Sequence, residues 1–314
     1  MPRVSFSLSE ERRGCHVHQD GEAAADQDPR GDLSEAVADH LRELPRLHLR
    51  VQRHKLLQDP GMVLDGPAEA HDRYRLNRAG HGTWKRVIES VELLKRERVD
   101  FNVLCVVSQA NVQKAAETYK FFRSLAVDYI QYIPLSEFDG LGQPLPFTIT
   151  AEQYGRFLCE TFDLWWPDRS QVRIRYFDNI AEALAGQKPG NCTLHETCDS
   201  YAVVEYNGDV YPCDFFVEKD WKLGNIHLDS WPEIARRQRR YQFAAKKTLA
   251  HPECQVCEYS SICHGGCPKH RHDPRRQFED LDYFCAAYKM IFRKAVEPLK
   301  KEVRRITSQA PHTR

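Results

Sequence analysis

At 314 residues the chain is long enough for about two domains and a sizeable buried core. Lys and Arg together number 45, as do Asp and Glu, so the net charge is zero and composition argues for neither a nucleic-acid nor a membrane partner. No apolar run approaches the ~18–20 residues of a bilayer span, and the first residues, MPRVSFSLSEERRGCHVHQDGE, lack the apolar stretch of a secretory signal. The expectation is a cytoplasmic chain, where closely spaced cysteines more often hold metal than form disulfides.

Residues 1–61 are atypical. They are rich in His, Arg and Asp, and His16, His18, His40, His48 and His54 are scattered without ligand spacing. Only Asp32 to Leu49 hints at a helix, interrupted at Pro45, so a disordered or poorly packed segment is expected. From Met62 the character changes. Val63 to Pro67 reads as a strand end and a turn. Thr83 opens a helix to about Arg98, with Val87, Ile88, Val91 and Leu94 on one face. Phe101 to Val107 is apolar on both faces, as in a strand buried between layers. A second amphipathic helix over Val112–Leu125 and a strand over Tyr129–Ile133 follow. This alternation implies parallel strands joined by crossover helices. Cys105 and Cys159 fall within a strand and a helix and read as core thiols.

Thr150 and Gln153 form a capping box for a helix through Leu164. A strand over Val172–Phe177 and a short helix over Asn179–Leu184 are expected next. Asn207-Gly208, set between apolar runs, signals a hairpin whose two central residues need positive φ. Trp231 to Phe243 reads as one basic helix with its arginines in solvent, and Tyr288 to Ile306 as an amphipathic helix bent or interrupted at Pro298.

Eight of the 11 cysteines lie between Cys192 and Cys285. They read C-x5-C-x14-C, then, after forty residues, C-x2-C-x5-C-x3-C-x17-C. Four thiolates close one metal site. Cys254, Cys257, Cys263 and Cys267 alone would suit a zinc knuckle, but the second group has a fifth cysteine. The surplus is absorbed if one cysteine crosses to the first group, as in two-cluster ferredoxins. That gives Cys192, Cys198, Cys213 and Cys267 for one site and Cys254, Cys257, Cys263 and Cys285 for the other. Gly265 and Gly266 stand where backbone must pass close to a cluster, and His264 reads as solvent-facing or as supporting the ligands.

This cysteine pattern resembles the SPASM domain of radical S-adenosylmethionine (SAM) enzymes. DGPAEAHDRYR (65–75), FNVLCVVS (101–108), IRYFDN (174–179), YPCDFF (211–216) and WKLGNI (221–226) make it most similar to the anaerobic sulfatase-maturating enzymes, over about Met62 to Leu299. The resemblance implies an α/β fold: a partial (β/α) barrel, here a truncated radical SAM barrel, followed by a small cysteine-rich α+β SPASM domain. The expected organisation is 62–185 for the C-terminal part of the barrel, 186–299 for the SPASM domain and 300–314 for a tail. The cofactors implied are two auxiliary 4Fe–4S clusters on the eight cysteines, with SAM and a third cluster in the barrel. The activity implied is oxidation of a Cys or Ser in an unfolded or nascent sulfatase polypeptide to formylglycine by a 5′-deoxyadenosyl radical, with an external electron donor such as flavodoxin or ferredoxin.

By the same resemblance, Asp214 is the catalytic base and Arg75 a SAM contact. On the residues alone, Asp214 serves equally well as a backbone hydrogen-bond acceptor beside a cluster, and Arg75 as a surface ion pair. The family's C-x3-C-x2-C loop and its glycine-rich segment are absent from the sequence, and Val63 replaces a serine. The chain as written is therefore expected not to cleave SAM. A non-catalytic iron–sulfur electron-transfer or binding module and a structural zinc protein are the alternatives.

Overall fold

The computed structural model describes residues 61–198, 202–248, 251–271 and 280–309. The segment of scattered histidines and the helix anticipated at Asp32–Leu49 lie outside the described residues. The described residues belong to one compact unit.

Four parallel strands pair in chain order: β1 (Gly61–Val63), β2 (Asn102–Val107), β3 (Tyr129–Pro134) and β4 (Arg173–Ile174). Met62 stands opposite Val103, Cys105 opposite Tyr132 and Ile130 opposite Ile174. Helices α1 (Ala68–Asp72), α2 (Trp84–Arg96), α3 (Ala115–Ser124) and α4 (Ala151–Trp165) lie in the crossovers, and α5 (Arg175–Leu184) follows β4. The α/β alternation is as anticipated.

β2 departs from its reading as a strand covered on both faces. Val103, Cys105 and Val107 are fully buried, while Asn102, Leu104 and Val106 are only half-buried. β3 repeats this alternation, with Ile130 and Tyr132 inside. The buried face meets the helices: the Tyr132 ring packs edge-on to Phe157 of α4 at 5.1 Å and against Phe122 of α3 at 6.4 Å. The other face is the one a barrel would turn inward.

Local chemistry explains the boundaries. The capping box at α4 forms as expected: the Thr150 side chain accepts from Gln153 N at 3.1 Å, and Thr150 N donates to Gln153 Oε1 at 2.8 Å. Thr83 precedes α2 but does not cap it; its hydroxyl donates to Arg75 O at 2.9 Å. Helix α3 begins at Ala115, not Val112, because buried Asn111 holds the preceding turn. Its side chain donates to the Asp65 and Val106 carbonyls, both at 2.9 Å, and accepts from Ser108 N. The strand expected over Val172–Phe177 is confined to Arg173–Ile174. Tyr176, Phe177 and Ile180 are buried along one side of α5, so the helical period wins from Arg175 onward.

The hairpin around Asn207-Gly208 forms from β5 (Val203–Val204) and β6 (Asp209–Tyr211), and β7 (Gly224–Asn225) completes an antiparallel sheet. Its turn is not the two-residue type. Glu205 N donates to Asp209 O, Gly208 N to Glu205 O, and only Gly208 takes positive φ, at 84°. This is a three-residue loop closed by a left-handed glycine. The basic helix expected over Trp231–Phe243 is two helices, α6 (Trp231–Arg236) and α7 (Gln238–Lys246). They break at Arg237, whose guanidinium donates to Leu223 O at 2.8 Å and pairs with Asp229 rather than standing free in solvent.

The last helix, α8 (Cys285–Gln309), starts earlier than anticipated and runs through Pro298 without interruption. Phe284, Ala287, Tyr288, Ile291, Phe292, Ala295 and Leu299 join the main core formed with α4 and α5. Among the described residues, no helix is long and apolar enough to cross a membrane.

Candidate metal centres

The second cysteine quartet lines one cavity. Three short helical turns, Pro252–Gln255, Ser260–Cys263 and Pro268–Arg271, carry or flank Cys254, Cys257, Cys263 and Cys267, and α8 begins at Cys285. Cys254, Cys257, Cys263 and Cys285 border one pocket with Tyr259, Asp282, Tyr288 and Phe292. Cys267, the next cysteine in sequence, is absent from that lining. Among the described residues, no three His, Cys, Asp or Glu side chains are arranged around a single metal ion. The four thiols surround a volume rather than a point.

Burial pushes the Cys263 thiol up to about 12, with Asp282 and Cys285 adding to it. Burial likewise raises Cys285 to about 11, helped by Cys254, Asp282 and Cys257 and opposed by Lys289. Each thiol thus resists ionising beside its neighbours, a situation that a bound cation reverses.

Cys267 turns to the first group. It is buried, and burial raises its thiol to about 12, with Asp282, Cys192 and Cys198 contributing. Burial also raises Cys213, with Asp214 and Cys267 among the neighbours that add to it. Cys192 opens a turn whose first amide is capped by Asn191, which accepts from Thr193 N at 3.1 Å. Cys198 and Cys213 pack against the Phe216–Phe243 pair, whose rings meet edge-on at 5.0 Å, and Trp221 closes the group at 5.2 Å from Phe243. The YPCDFF and WKLGNI segments therefore meet beside two of the four thiols.

The loop between the quartets needs its glycines. His264, Gly265 and Gly266 all adopt left-handed backbone, with φ of 48°, 76° and 72°. A Cβ on Gly266 would overlap the Asp282 carboxylate. That carboxylate accepts from Cys267 N at 2.8 Å and from Phe284 N at 2.7 Å, so it fixes Cys267 and the start of α8 together. His264 does not line the cavity.

Asp214 follows Cys213 in an exposed turn, Asp214–Phe216. The Cys213 thiol donates to Asp214 Oδ1 at 3.3 Å, so the carboxylate is aimed at the thiol and not at backbone. Arg75 sits elsewhere, near the carboxyl ends of β1 and β2. Its Nε pairs with Asp65 Oδ2 at 2.8 Å, and Asp65 Oδ1 accepts from Val106 N at 2.8 Å. Ligands of α/β barrels bind at that strand end.

Three buried charged residues were not singled out in the sequence: Lys247, Arg271 and Asp282. Lys247 lies just past the Trp231–Phe243 run and Arg271 among other basic residues, and neither carries a sequence signal for burial. Asp282 had a signal, an acidic residue just before a helix.

These features define a class: a partial parallel α/β barrel followed by a cysteine-rich region with a small antiparallel sheet. Residues 192–258 match the SPASM family model, described as an iron–sulfur cluster-binding domain. The chain is 34% identical over 272 residues to the serine-type anaerobic sulfatase-maturating enzyme of Bacteroides thetaiotaomicron, covering 80% of this chain and 65% of that protein. It is 34% identical over 239 residues to the cysteine-type enzyme of Clostridium perfringens, covering 74% of this chain and 64% of that one. A solved structure, native anSMEcpe with bound AdoMet and Kp18Cys peptide, superposes with a TM-score of 0.72 at 32% identity over 78% of this chain and 69% of its own. The chain belongs to the family of anaerobic sulfatase-maturating enzymes. It spans just under two thirds of the length of the two curated relatives, 65% and 64%.

Proposed function

We propose that the two quartets hold two auxiliary 4Fe–4S clusters, Cys192, Cys198, Cys213 and Cys267 binding one and Cys254, Cys257, Cys263 and Cys285 the other. The observation that carries this is the grouping of Cys254, Cys257, Cys263 and Cys285 around one pocket that Cys267 does not line. Four thiols around a single zinc ion stand about 2.3 Å from one central point; thiols around a cavity suit a polynuclear centre. The clusters supply a one-electron acceptor. In the reaction of the family, a sulfatase Cys or Ser loses a hydrogen atom from Cβ, a proton from its sulfur or oxygen, and one electron.

Asp214 is the group on this chain suited to take the proton. It is exposed, carboxylate-bearing and next to a ligand cysteine. When Cys213 binds metal it gives up the proton it shares with Oδ1, and that oxygen becomes free to accept from substrate. Arg75 is the candidate SAM contact, a reading supported by its pairing with Asp65 near the carboxyl ends of β1 and β2. The substrate is a sulfatase segment presenting Cys or Ser, the external electron donor is a protein of the flavodoxin or ferredoxin kind, and the setting is the cytoplasm. The chain as written has no C-x3-C-x2-C loop and does not generate the radical itself.

Anaerobic reconstitution tests the reading. It predicts a brown protein with about eight irons in two four-iron centres, which releases no 5′-deoxyadenosine from SAM. A colourless, zinc-loaded chain would contradict it. For the base, residues 62–314 can be joined to the front of a relative's barrel. Asp214→Asn should then keep every iron and lower formylglycine formation by about 10²–10⁴-fold; unchanged turnover would remove Asp214 from the role.

A further inference from the structure

Two of the largest fully buried side chains among the described residues are cations, Lys247 at 1% exposure and Arg271 at 2%. Lys247 Nζ donates to Cys192 O at 2.8 Å and Thr193 O at 2.9 Å, the backbone of the turn that opens the first quartet. Arg271 Nη2 donates to Lys247 O at 2.9 Å. Its Nη1 stands 3.7 Å from the point where a Cβ on Gly265 would lie, and Cys254 Sγ of the second quartet is 4.0 Å from the same point. The two cations are thus tied to each other, the ammonium on the first quartet's backbone and the guanidinium beside the second quartet.

Burying charge costs several kcal/mol per ion unless an opposite charge answers it, and carbonyl dipoles answer only part. The nearby buried carboxylate, Asp282, already accepts from Cys267 N and Phe284 N and faces His270 Nδ1 at 3.5 Å. Four thiolates on a four-iron core leave a net negative charge, and cluster potentials follow that charge and its surroundings. We propose that Lys247 is the cationic partner of the cluster on the first quartet and raises its reduction potential. It is a positioning residue and touches no substrate. Reduction adds one negative charge in a dry interior, so a fixed neighbouring cation favours the reduced form. This rests on the cluster reading above.

The test is potentiometric titration, followed by EPR, of the reconstituted full chain and of Lys247→Met, Lys247→Gln and Lys247→Arg. Iron content comes first. A parent chain that takes up no iron contradicts the cluster reading itself, and the charge role falls with it. With the parent loaded, Gln keeps N–H donors for the two carbonyls but no charge, whereas Arg keeps both. Gln and Met should each disfavour reduction of one centre at least tenfold, about 59 mV for a one-electron couple, and Arg should stay near the parent. A loaded Gln variant with unchanged potentials overturns the proposal. Should Gln and Met fail to load while Arg loads, charge is required and the proposal stands; failure of all three makes Lys247 a shape requirement and overturns it.

Discussion

Between residues 62 and 185, four parallel strands and their helices bury Val103, Ile130, Phe122, Phe157 and Phe177 in one continuous core. Between 202 and 248 the buried apolar groups are Val210, Leu223 and Ile234 in one place and Phe216 with Phe243 in another. The strands there have two or three residues each. The first region has enough buried apolar surface to hold itself. The second does not, and small domains of that kind depend on metal or disulfides. Helix α8 follows the cysteines in sequence but packs into the first region's core. Its first residue, Cys285, therefore ties the pocket lined by Cys254, Cys257 and Cys263 to the first region's core.

Removal of metal should break the comparison most sharply. Chelation under anaerobic conditions should expose residues 202–248 to limited proteolysis and leave 62–185 with α8 protected. Equal digestion of both regions would show that the sheet region also relies on the clusters. Next in size is Phe157→Ala, which removes a ring packed between Tyr132 and the helical layer. It should cost about 3–5 kcal/mol of the sheet region's unfolding free energy and leave iron content unchanged; loss of iron in step would mean the two regions share one cooperative unit. The smallest effect is Thr150→Ala. Loss of the capping box at α4 should cost about 0.5–2 kcal/mol in chemical denaturation, with no change in either metal centre.

The sheet region was largely legible because apolar periodicity reports burial directly. α4 follows from it, β2 and β3 were placed by their apolar runs although β2 buries only one face, and the Thr150 cap follows from the Thr-x-x-Gln spacing. The errors came where a side chain overrode period: Asn111 delays α3, and Arg237 splits the basic helix by reaching back to Leu223. In the cysteine region the spacing showed a surplus fifth cysteine, and the expectation that Cys267 is the one to cross over is consistent with its absence from the pocket lined by Cys254, Cys257, Cys263 and Cys285. The buried Lys247 and Arg271 were not legible, because a basic residue in a basic run looks solvated until the fold covers it.

Iron analysis with Mössbauer spectroscopy of the anaerobically reconstituted chain and of Cys267→Ala tests the central claim most directly. Cys267 is the one cysteine assigned across the sequence gap. Two interleaved quartets predict about eight irons in the parent and, in the variant, loss of the first centre with the second four-iron centre intact. A variant that keeps both centres, or one that loses the centre held by Cys254, Cys257, Cys263 and Cys285 instead, would contradict the assignment.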